Sequence, residues 1–432
     1  MDGKSLIARM KPLSQVENIK DVMPLTEAVF PGTHCPLMGA AIALRGIRDS
    51  LLVVIGTEEC AYYTKHMTVY SDAYGGIAGR CVSMILDGQD VTFGCTEQVA
   101  QCFEPLMKEY QPKAVFLVTT CVVEIIGDDM DAVAERLSER YGIPIMAVHT
   151  EHFKCENHLP GLERTMTACL SMMEKQYCDG SVNLLGQRLG NFSQTELSGV
   201  LARAGVKIGL QLPCGCSVDE IRRAPAARLN IVVNETALPL ARKMQETFGI
   251  PYVFFDRFTD PERIAACYAR LFSTLELPVP EEVKALENKA RAVCFHAKNA
   301  LNGVTFIYGN TPFRPFEMIH FMTKLWMIPQ VVQLSAITPE DEKDKAGILS
   351  ACDPYVTKTA NIVPMRAVYD VLHPMLYLGH EYAEQLRAKG IALLQTDEAN
   401  GMLGFECTLY LVQSLLQAAQ EAREIRKEAA FS

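Results

Sequence analysis

Three cysteines stand where thiols could bind metal. Cys60 follows the apolar run LLVVIGTEE and Cys121 follows AVFLVTT, so each lies just beyond a predicted strand and before a predicted helix. Cys35 precedes another predicted helix, and Pro36 suits the first turn of that helix. A helix amino terminus lowers the pKa of a thiol and favours the thiolate, which is the form that iron–sulfur clusters bind. The pattern therefore favours cluster ligation by these three thiols.

The three cysteines can also share one crevice. In an open parallel sheet, ligands gather at the carboxyl ends of the strands, beside the switch in strand order. Any one of these thiols alone is more typical of a buried, inert cysteine. Three thiolates are one short of the usual four-cysteine cluster site, so the missing ligation must come from elsewhere. A partner chain is the natural source.

A second group of candidate ligands lies in the segment HTEHFKCENHLPG, just beyond a predicted strand. It contains His149, His152, Cys155 and His158, of which Cys155 and His158 are the candidate metal ligands. Tracts of histidine and cysteine often bind no metal, so surface histidines beside one buried thiol remain the alternative interpretation.

Four further groups are expected to serve structure rather than chemistry. A Cys-x-Cys pair could chelate a metal, but no second pair lies nearby. This pair is Cys214 and Cys216. Cys95 and Cys102 are seven apart on a predicted helix and so share one face, which favours core packing. The acidic residues Glu124, Asp128 and Asp129 are expected to cap a helix or complement its dipole, and Gly75, Gly76 and Gly79 form a GGxxG run without a preceding strand, which indicates a turn.

Composition limits the classes of protein that the chain can belong to. Hydrophobic residues make up 49% and charged residues 21%, so the chain can bury sizeable cores. The net charge of −10, without a dense basic cluster, disfavours nucleic-acid binding. No apolar stretch approaches the ~18 residues of a membrane helix, and MDGKSLIARMKPLSQ lacks the pattern of a secretory signal. We therefore expect a cytoplasmic protein whose cysteines are not a disulfide framework.

Short apolar runs that alternate with helical patterns predict an α/β fold with parallel sheets. At roughly 150 residues per domain, the 432 residues suggest about three domains. We expect α/β domains over 25–175, with the cluster cysteines, over 176–276, and over 277–432, with a long closing helix. The predicted strands are LLVVIGT, AVFLVTT and IPIMAVHT; then SVNLLG, VKIGLQL, LNIVVN and PYVFFD; then GVTFIYGN, IPQVVQLSAI, YVTKTANI, MLYLGH and IALLQ.

Around the three cysteines the sequence resembles a known family. The segments CPLMGAAIALRGI, GTEECAYY and TTCVVEIIGDDM closely resemble those around the P-cluster cysteines of nitrogenase component 1, and most closely its β-type subunits. The order of elements is similar over about residues 25–425, including GMLGFECTLYL. The resemblance implies three Rossmann-like parallel-sheet domains and a homologous α-type partner in an α2β2 complex. It also implies that Cys35, Cys60 and Cys121 hold half of an iron–sulfur cluster, either P-cluster-like [8Fe–7S] or [4Fe–4S], shared with that partner.

The resemblance further implies an external electron source, a separate ATP-dependent reductase with its own [4Fe–4S] cluster. The sequence has no GxxxxGK[ST] loop, so the ATP chemistry is not its own. In catalytic α subunits of the family, one Cys and one His hold a second metallocluster. Here the position of that Cys is Asn234, and the stretch IALLQTDEANGMLG contains no histidine. The chain therefore resembles a β-type partner, or a member whose active site is built differently, with the segment that contains Cys155 and His158 supplying ligands.

The expected function is that of an electron-relaying subunit in a nitrogenase-like reductase complex. Within the family, the branch that we name first is methylthio-alkane reductase, which cleaves a C–S bond reductively. A scaffold for metallocluster assembly and a subunit of a tetrapyrrole-reducing complex are the alternatives. No catalytic residue is predicted in this chain, because the active site can lie on the partner.

Overall fold

The computed structural model has an α/β fold, as the sequence predicts. It describes residues 2–26, 34–69, 77, 79–155, 157–187, 191–358 and 362–431. Gly75 and Gly76 of the predicted turn therefore lie outside the described residues. Gly79 has a φ of +81°, a backbone conformation that favours glycine and is consistent with a turn.

The first half of the chain alternates strands and helices. Its elements are α1 (Gly3–Ile7), β1 (Lys11–Pro12), α2 (Pro36–Arg45), β2 (Ile47–Arg48), β3 (Ser50–Gly56), α3 (Glu58–Val69), β4 (Cys81–Ile85), α4 (Gly88–Phe93), α5 (Thr96–Tyr110), β5 (Ala114–Thr119), α6 (Cys121–Ile126), α7 (Met130–Tyr141), β6 (Ile145–Val148), α8 (Leu159–Ala168), β7 (Val182–Gln187), α9 (Glu196–Arg203) and β8 (Ile208–Pro213).

The second half continues this pattern and ends in a long helix. Its elements are β9 (Cys216–Ser217), α10 (Val218–Arg223), β10 (Leu229–Val232), α11 (Leu238–Phe248), β11 (Tyr252–Phe254), α12 (Pro261–Thr274), α13 (Glu281–Leu301), β12 (Thr305–Tyr308), α14 (Pro315–Lys324), β13 (Ile328–Leu334), α15 (Glu342–Leu349), β14 (Tyr355–Lys358), α16 (Ile362–Leu372), β15 (Leu376–Leu378), α17 (Ala383–Arg387), β16 (Ala392–Leu394) and α18 (Phe405–Phe431).

The chain divides into two compact units. The cysteine-bearing unit comprises Thr33–Leu189 and Gly205–Asp256, and the carboxy-terminal unit comprises Met1–Gly32, Gly190–Ala204 and Arg257–Ser432. This division into two units does not test the domain boundaries expected at residues 176 and 277, which stay predictions.

Two parallel sheets of the same topology form the cysteine-bearing unit. Their strand orders are β4-β3-β5-β6 and β11-β10-β7-β8. In each sheet the second strand in sequence lies on one side of the first, and the third and fourth lie on the other. Each sheet therefore has a switch in strand order between its first and third strands, which is where open α/β sheets bind ligands.

Burial on both faces explains why the strands beside the cysteines are apolar throughout. In β3, Leu52 and Val54 pack into one core cluster, whereas Leu51, Val53 and Ile55 pack into the cluster on the other face. Alternate strand residues point to opposite faces, so a sheet with helices on both faces needs an unbroken apolar run. The first of these clusters also includes residues of β7 and β10, which gives the two sheets a common core.

The carboxy-terminal unit contains one six-stranded sheet of order β1-β14-β13-β12-β15-β16. Two of its helices cap each other, α9 and α18. The Glu196 carboxylate accepts bonds from the N–H groups of Phe405 at 2.9 Å and Glu406 at 3.1 Å. In return the Glu406 carboxylate accepts from the N–H groups of Glu196 at 2.9 Å and Leu403 at 2.7 Å. Each carboxylate thus satisfies N–H groups that a helix start leaves free.

β4 is one strand that the sequence did not predict. It lies at the edge of its sheet, and its side chains are mostly exposed or half-buried, so it lacks the apolar run of its neighbours. Among the described helices, none combines the length and the apolar character that crossing a bilayer requires.

Candidate functional site

Two of the three predicted cysteines lie beside the switch in strand order of the first sheet. β4 pairs with one edge of β3 and β5 with the other, so the carboxyl ends of β3 and β5 flank the switch. Cys60 is the third residue of α3, which follows β3, and Cys121 is the first residue of α6, which follows β5. Both thiols therefore belong to the crevice that this topology creates.

A close crossing of two helices brings Cys35 to the same region. Cys35 is the amino-terminal cap residue of α2, which packs against α8. A Cβ on Gly39 would lie 1.9 Å from the carbonyl oxygen of His158, and a Cβ on Gly161 would lie 1.8 Å from that of Pro36. Because glycine has no Cβ, it allows two backbones to approach this closely. The first turns of α2 and α8 therefore touch, which places Cys35 near His158.

The three thiols influence one another electrostatically. Burial raises the pKa of the Cys60 thiol, the neighbouring Cys35 and Cys121 raise it further, and a hydrogen bond with Thr57 opposes them. The expectation that a helix start favours the thiolate does not hold for Cys60, because burial in an apolar surrounding penalises the charged form more strongly. If this thiol binds a metal centre, the charge of the metal would have to favour its deprotonation.

The donor chemistry of Cys35, Cys60 and Cys121 is compatible with an iron–sulfur cluster, because thiolates are the usual ligands of such clusters. Within the described ranges, no three His, Cys, Asp or Glu side chains converge closely enough to hold one metal ion. The Thr120 hydroxyl, adjacent to Cys121, is buried and has no hydrogen-bond partner in the described part of the chain. Such a group usually finds a partner, and here it packs against Gly56.

The sequence did not predict the aromatic pair of His34 and Tyr63 beside Cys35. His34 Nδ1 and the Tyr63 hydroxyl are 2.5 Å apart, and the His34 ring lies 6.4 Å from the ring of His158 in an edge-on arrangement. Burial raises the pKa of Tyr63, and the charge of Cys35 adds to this effect. In the sequence, the position of His34 directly before Cys35 was the one available signal.

His149, part of the predicted ligand loop, is already engaged by carboxylates. Its Nδ1 lies 2.8 Å from Glu124 and its Nε2 lies 3.1 Å from Asp131. The hydrogen bond with Glu124, aided by Asp131, raises the pKa of His149 to about 9. The ring is therefore an imidazolium at neutral pH and has no free lone pair for a metal. Glu124 therefore forms an ion pair with His149, and it also lies in the first turn of α6.

The two candidate ligands of the loop lie near different cysteines of the trio. Burial raises the pKa of the half-buried Cys155, Arg164 opposes this rise, and Cys121 adds to it. His158 is the cap residue of α8, on the side of Cys35, while His152 is exposed in a short turn. The loop therefore lies between the start of α2 and the region of Cys121.

The remaining cysteine groups have contacts typical of structural residues. The buried Cys216 thiol donates to the Pro213 carbonyl at 3.8 Å, and burial raises the pKa of Cys214. Cys95 is fully buried in a core cluster, against which Cys102 also packs. These contacts favour the structural interpretation of both pairs.

Asp129 and Asn234 serve as caps. The Asp129 carboxylate accepts from the Ala132 N–H at 2.9 Å at the start of α7. The Asn234 side chain accepts from the N–H of Thr236 at 3.2 Å and from its hydroxyl at 2.6 Å. The Asn234 side chain therefore has a structural role at the start of this turn.

The fold and the site together define a class: an α/β protein with thiols at the switch point of a parallel sheet. Residues 35–420 match the family described as nitrogenase component 1 type oxidoreductase. The chain belongs to this nitrogenase component 1 family. A solved structure titled "Nitrogenase Cp1 at pH 6.5" has the same fold, with a TM-score of 0.77 and 14% identity over 94% of this chain and 96% of that chain.

Relatives of curated function are similar to part of the chain. It is 30% identical over 224 residues to the nitrogenase iron-molybdenum cofactor biosynthesis protein NifE of Clostridium pasteurianum, covering 51% of this chain and 49% of that protein. It is 23% identical over 282 residues to the nitrogenase molybdenum-iron protein alpha chain of Methanosarcina barkeri, covering 61% and 53% respectively. The chain thus spans about half the length of the curated relatives that it matches.

Proposed function

We propose that the chain is an iron–sulfur subunit of a nitrogenase-like reductase complex in the cytoplasm. Cys35, Cys60 and Cys121 hold a cluster, P-cluster-like [8Fe–7S] or [4Fe–4S], shared with a homologous α-type subunit in an α2β2 assembly. An ATP-dependent reductase with its own [4Fe–4S] cluster supplies electrons, which pass through the shared cluster to a reductive active site. The positions of Cys60 and Cys121 directly after two adjacent strands, together with the electrostatic influence of Cys35 on Cys60, are the observations that support this proposal most strongly.

The residues of the chain bind the cluster and shape its surroundings. The three thiols would lose their protons as they bind iron, and the metal's charge would favour this loss at Cys60, where burial raises the pKa. Thr120 supplies a buried hydroxyl that can donate to the bound group. The cluster itself supplies one-electron transfer, which no side chain of this set can perform alone.

The observed contacts support a β-type subunit whose catalytic centre lies on the partner. Asn234 caps a turn and offers no thiolate, and His149 is paired as an imidazolium. A reductive centre held by thiolate and imidazole needs ligands of those kinds. We propose methylthio-alkanes as the substrate class of the complex and cleavage of their C–S bond as the reaction.

A scaffold for metallocluster assembly is the second candidate, because the NifE relative is named as a cofactor biosynthesis protein. Both functions use the same three thiols, so the site geometry does not separate them. They differ in the fate of what is bound, since a scaffold releases a finished cluster whereas a reductase subunit keeps it and passes on electrons.

Anaerobic purification of the chain together with its neighbouring gene products separates the two functions. An enzyme subunit should turn over methylthio-alkane substrate only with a reductase and ATP, and should keep its iron. Transfer of an intact cluster to a second apoprotein, without substrate turnover, would instead establish the scaffold. Failure of both activities in a complex that contains full iron would contradict the proposal.

The assembly is a second test of the proposal. A buried cluster shared between two chains requires a large and permanent interface, on the order of 2,000 Å² or more. Light scattering on the holoprotein should therefore give a heterotetramer, or a homodimer if the chain pairs with itself. A stable holo monomer that retains a P-cluster-like centre would contradict cluster sharing.

A further inference from the structure

Two aromatic side chains of the carboxy-terminal unit are exposed beside one lysine. Phe295 of α13 is 73% exposed, and Trp326, which follows α14, is 48% exposed. The Lys298 ammonium nitrogen lies 5.5 Å from the centre of the Trp326 ring, in a cation–π contact. Phe295 comes three residues before Lys298 on α13, so the two side chains share one face of the helix. Phe295, Lys298 and Trp326 therefore form one surface, the aromatic patch.

Trp326 has a backbone conformation that is unusual for a bulky residue. Its φ is +65°, in the left-handed region that glycine prefers. The Trp326 N–H donates to the Thr323 carbonyl at 2.9 Å, and the Trp326 carbonyl accepts from the Gly303 N–H at 2.9 Å. The backbone is thus held on both sides, which fixes the direction of the ring. A strained residue that its surroundings hold in place is a reason to look for a function there.

A pocket beside the aromatic patch can accept an apolar side chain. Its volume is about 300 Å³, and the exposed Phe295 is among its lining residues. Three further lining residues, Cys294, Phe321 and Leu325, are apolar and buried. The volume is at the lower end of the range for ligand pockets, about 300–1,000 Å³, so the pocket suits a side chain better than a large cofactor.

The charges at this pocket favour an acidic partner. Of the three cations that line it, Lys324 pairs with Asp260 at 2.5 Å, and Arg291 pairs with Glu262 at 3.1 Å. The third, Lys298, has no carboxylate within ion-pair distance in the part of the chain that the structure describes. A partner that brings a carboxylate to Lys298 therefore gains an ion pair without breaking one, whereas a cationic partner is repelled.

We propose that the aromatic patch binds an acidic amphipathic segment of a partner protein. An apolar side chain of that segment enters the pocket beside Phe295 and Trp326, and a neighbouring carboxylate pairs with Lys298. Tryptophan is enriched among the residues that dominate binding energy at protein interfaces. A patch of this size suits a short segment rather than the wide interface of a permanent complex. The inference goes beyond the proposed function, because it uses none of the cluster thiols.

A second copy of the chain fits the aromatic patch less well. A two-fold contact centred on the patch would place the two Lys298 ammonium groups near each other, and like charges oppose binding. The acidic residues at the pocket, Asp260 and Glu262, already pair with Lys324 and Arg291. The acidic segment is therefore the occupant that the charges favour.

The test uses the full chain and the fluorescence of Trp326, the single tryptophan of the sequence. The probe is a synthetic peptide of about three helical turns, with leucine and phenylalanine one turn apart and glutamate and alanine elsewhere. In the control peptide, lysine replaces every glutamate. The acidic peptide should shift the Trp326 emission to shorter wavelength in a saturable way, because the ring loses contact with water. The lysine peptide should leave the emission unchanged.

Two variants should weaken binding of the acidic peptide about tenfold, which is the effect of losing a central contact of an interface. Phe295→Ala removes an apolar contact. Lys298→Glu reverses the charge, so it should also allow the lysine peptide to bind. Two controls should bind the acidic peptide as the wild type does. Lys289→Glu makes the same charge change on the opposite face of α13, roughly two and a half turns away, and Phe93→Ala removes an 86% exposed aromatic side chain from the cysteine-bearing unit.

The inference would be overturned if the acidic peptide gave no saturable emission shift, or if both peptides bound equally well to the wild type. It would also be overturned if Phe295→Ala and Lys298→Glu bound the acidic peptide like the wild type, since the peptide would then contact another surface. A dimer of the free chain that Phe295→Ala abolishes would make a second copy the occupant instead. Because Phe295 and Lys289 are exposed, their variants should keep the wild-type unfolding midpoint. None of these results bears on the cluster thiols, so the proposed function stands or falls separately.

Discussion

The contact between α2 and α8 makes a quantitative prediction for Gly39→Ala. The added Cβ would lie 1.9 Å from the His158 carbonyl oxygen and 2.9 Å from the Leu162 nitrogen, whereas ordinary contact begins at 3.4 Å. The helices must therefore separate by about 1.5 Å, since 3.4 − 1.9 = 1.5. Both clashing atoms belong to the backbone and cannot rotate away, so we expect an overpacking cost near the upper end of the usual range, about 3 kcal/mol.

Part of that cost is offset, because alanine is a better helix former than glycine by about 1 kcal/mol. The expected net loss for Gly39→Ala is about 2 kcal/mol, measured as a lower midpoint of urea unfolding of the apoprotein. Because Cys35 caps the same helix, the displacement should also lower the iron content of the reconstituted chain.

Gly88→Ala is the control, since Gly88 begins α4 and a Cβ there meets nothing within 4 Å. It should keep the wild-type iron content and should not unfold more easily. If Gly39→Ala matched Gly88→Ala in both midpoint and iron, the helix contact would not position Cys35, and the reasoning would be wrong.

The remaining predictions concern charges and caps. His149→Gln removes the partner of a half-buried carboxylate, so the urea midpoint should fall while iron stays bound; iron loss would make His149 a ligand. Glu196→Ala deprives the Tyr268 hydroxyl and two helix N–H groups of an acceptor, at about 1–3 kcal/mol each. The thermal midpoint of Glu196→Ala should fall far more than that of the control Glu282→Ala, which loses only a largely exposed ion pair with Arg203. Equal falls would contradict the role of Glu196 as a helix cap. Burial raises the pKa of Glu317 to about 7 from 4.5 because it penalises the ionised carboxylate, so stability should fall by about 3 kcal/mol as the pH rises from 4.5 through about 7. Glu317→Gln should flatten this part of the pH profile of the unfolding midpoint, and an unchanged profile would refute the assignment.

The strands were largely predictable because of how parallel sheets are covered. β3 and β5 are buried at every position, so each contains an unbroken apolar run that the local sequence is enough to identify. β4 has one buried residue in five and was missed, since an edge strand needs no such run. Pairing with β3, which the local sequence does not encode, makes it a strand.

The positions of the cysteines after strands were readable from sequence, but their surroundings were not. Cys60 and Cys121 follow adjacent strands of one sheet, and topology alone brings the ends of such strands together. Arg164 and Tyr63 reach the thiols through tertiary packing between distant segments, which no local pattern reports. The direction of the Cys60 pKa shift also depends on burial, and burial here outweighs the helix start.

Iron content of the three cysteine variants is the most direct test of the central claim. Cys35→Ala, Cys60→Ala and Cys121→Ala, each purified anaerobically with its partner, should lose most cluster iron and the corresponding electron paramagnetic resonance signal. Cys267→Ala and Cys294→Ala, which alter thiols of the helices α12 and α13 in the carboxy-terminal unit, should keep both. Wild-type iron and spectra in all three variants of the first group would contradict the account.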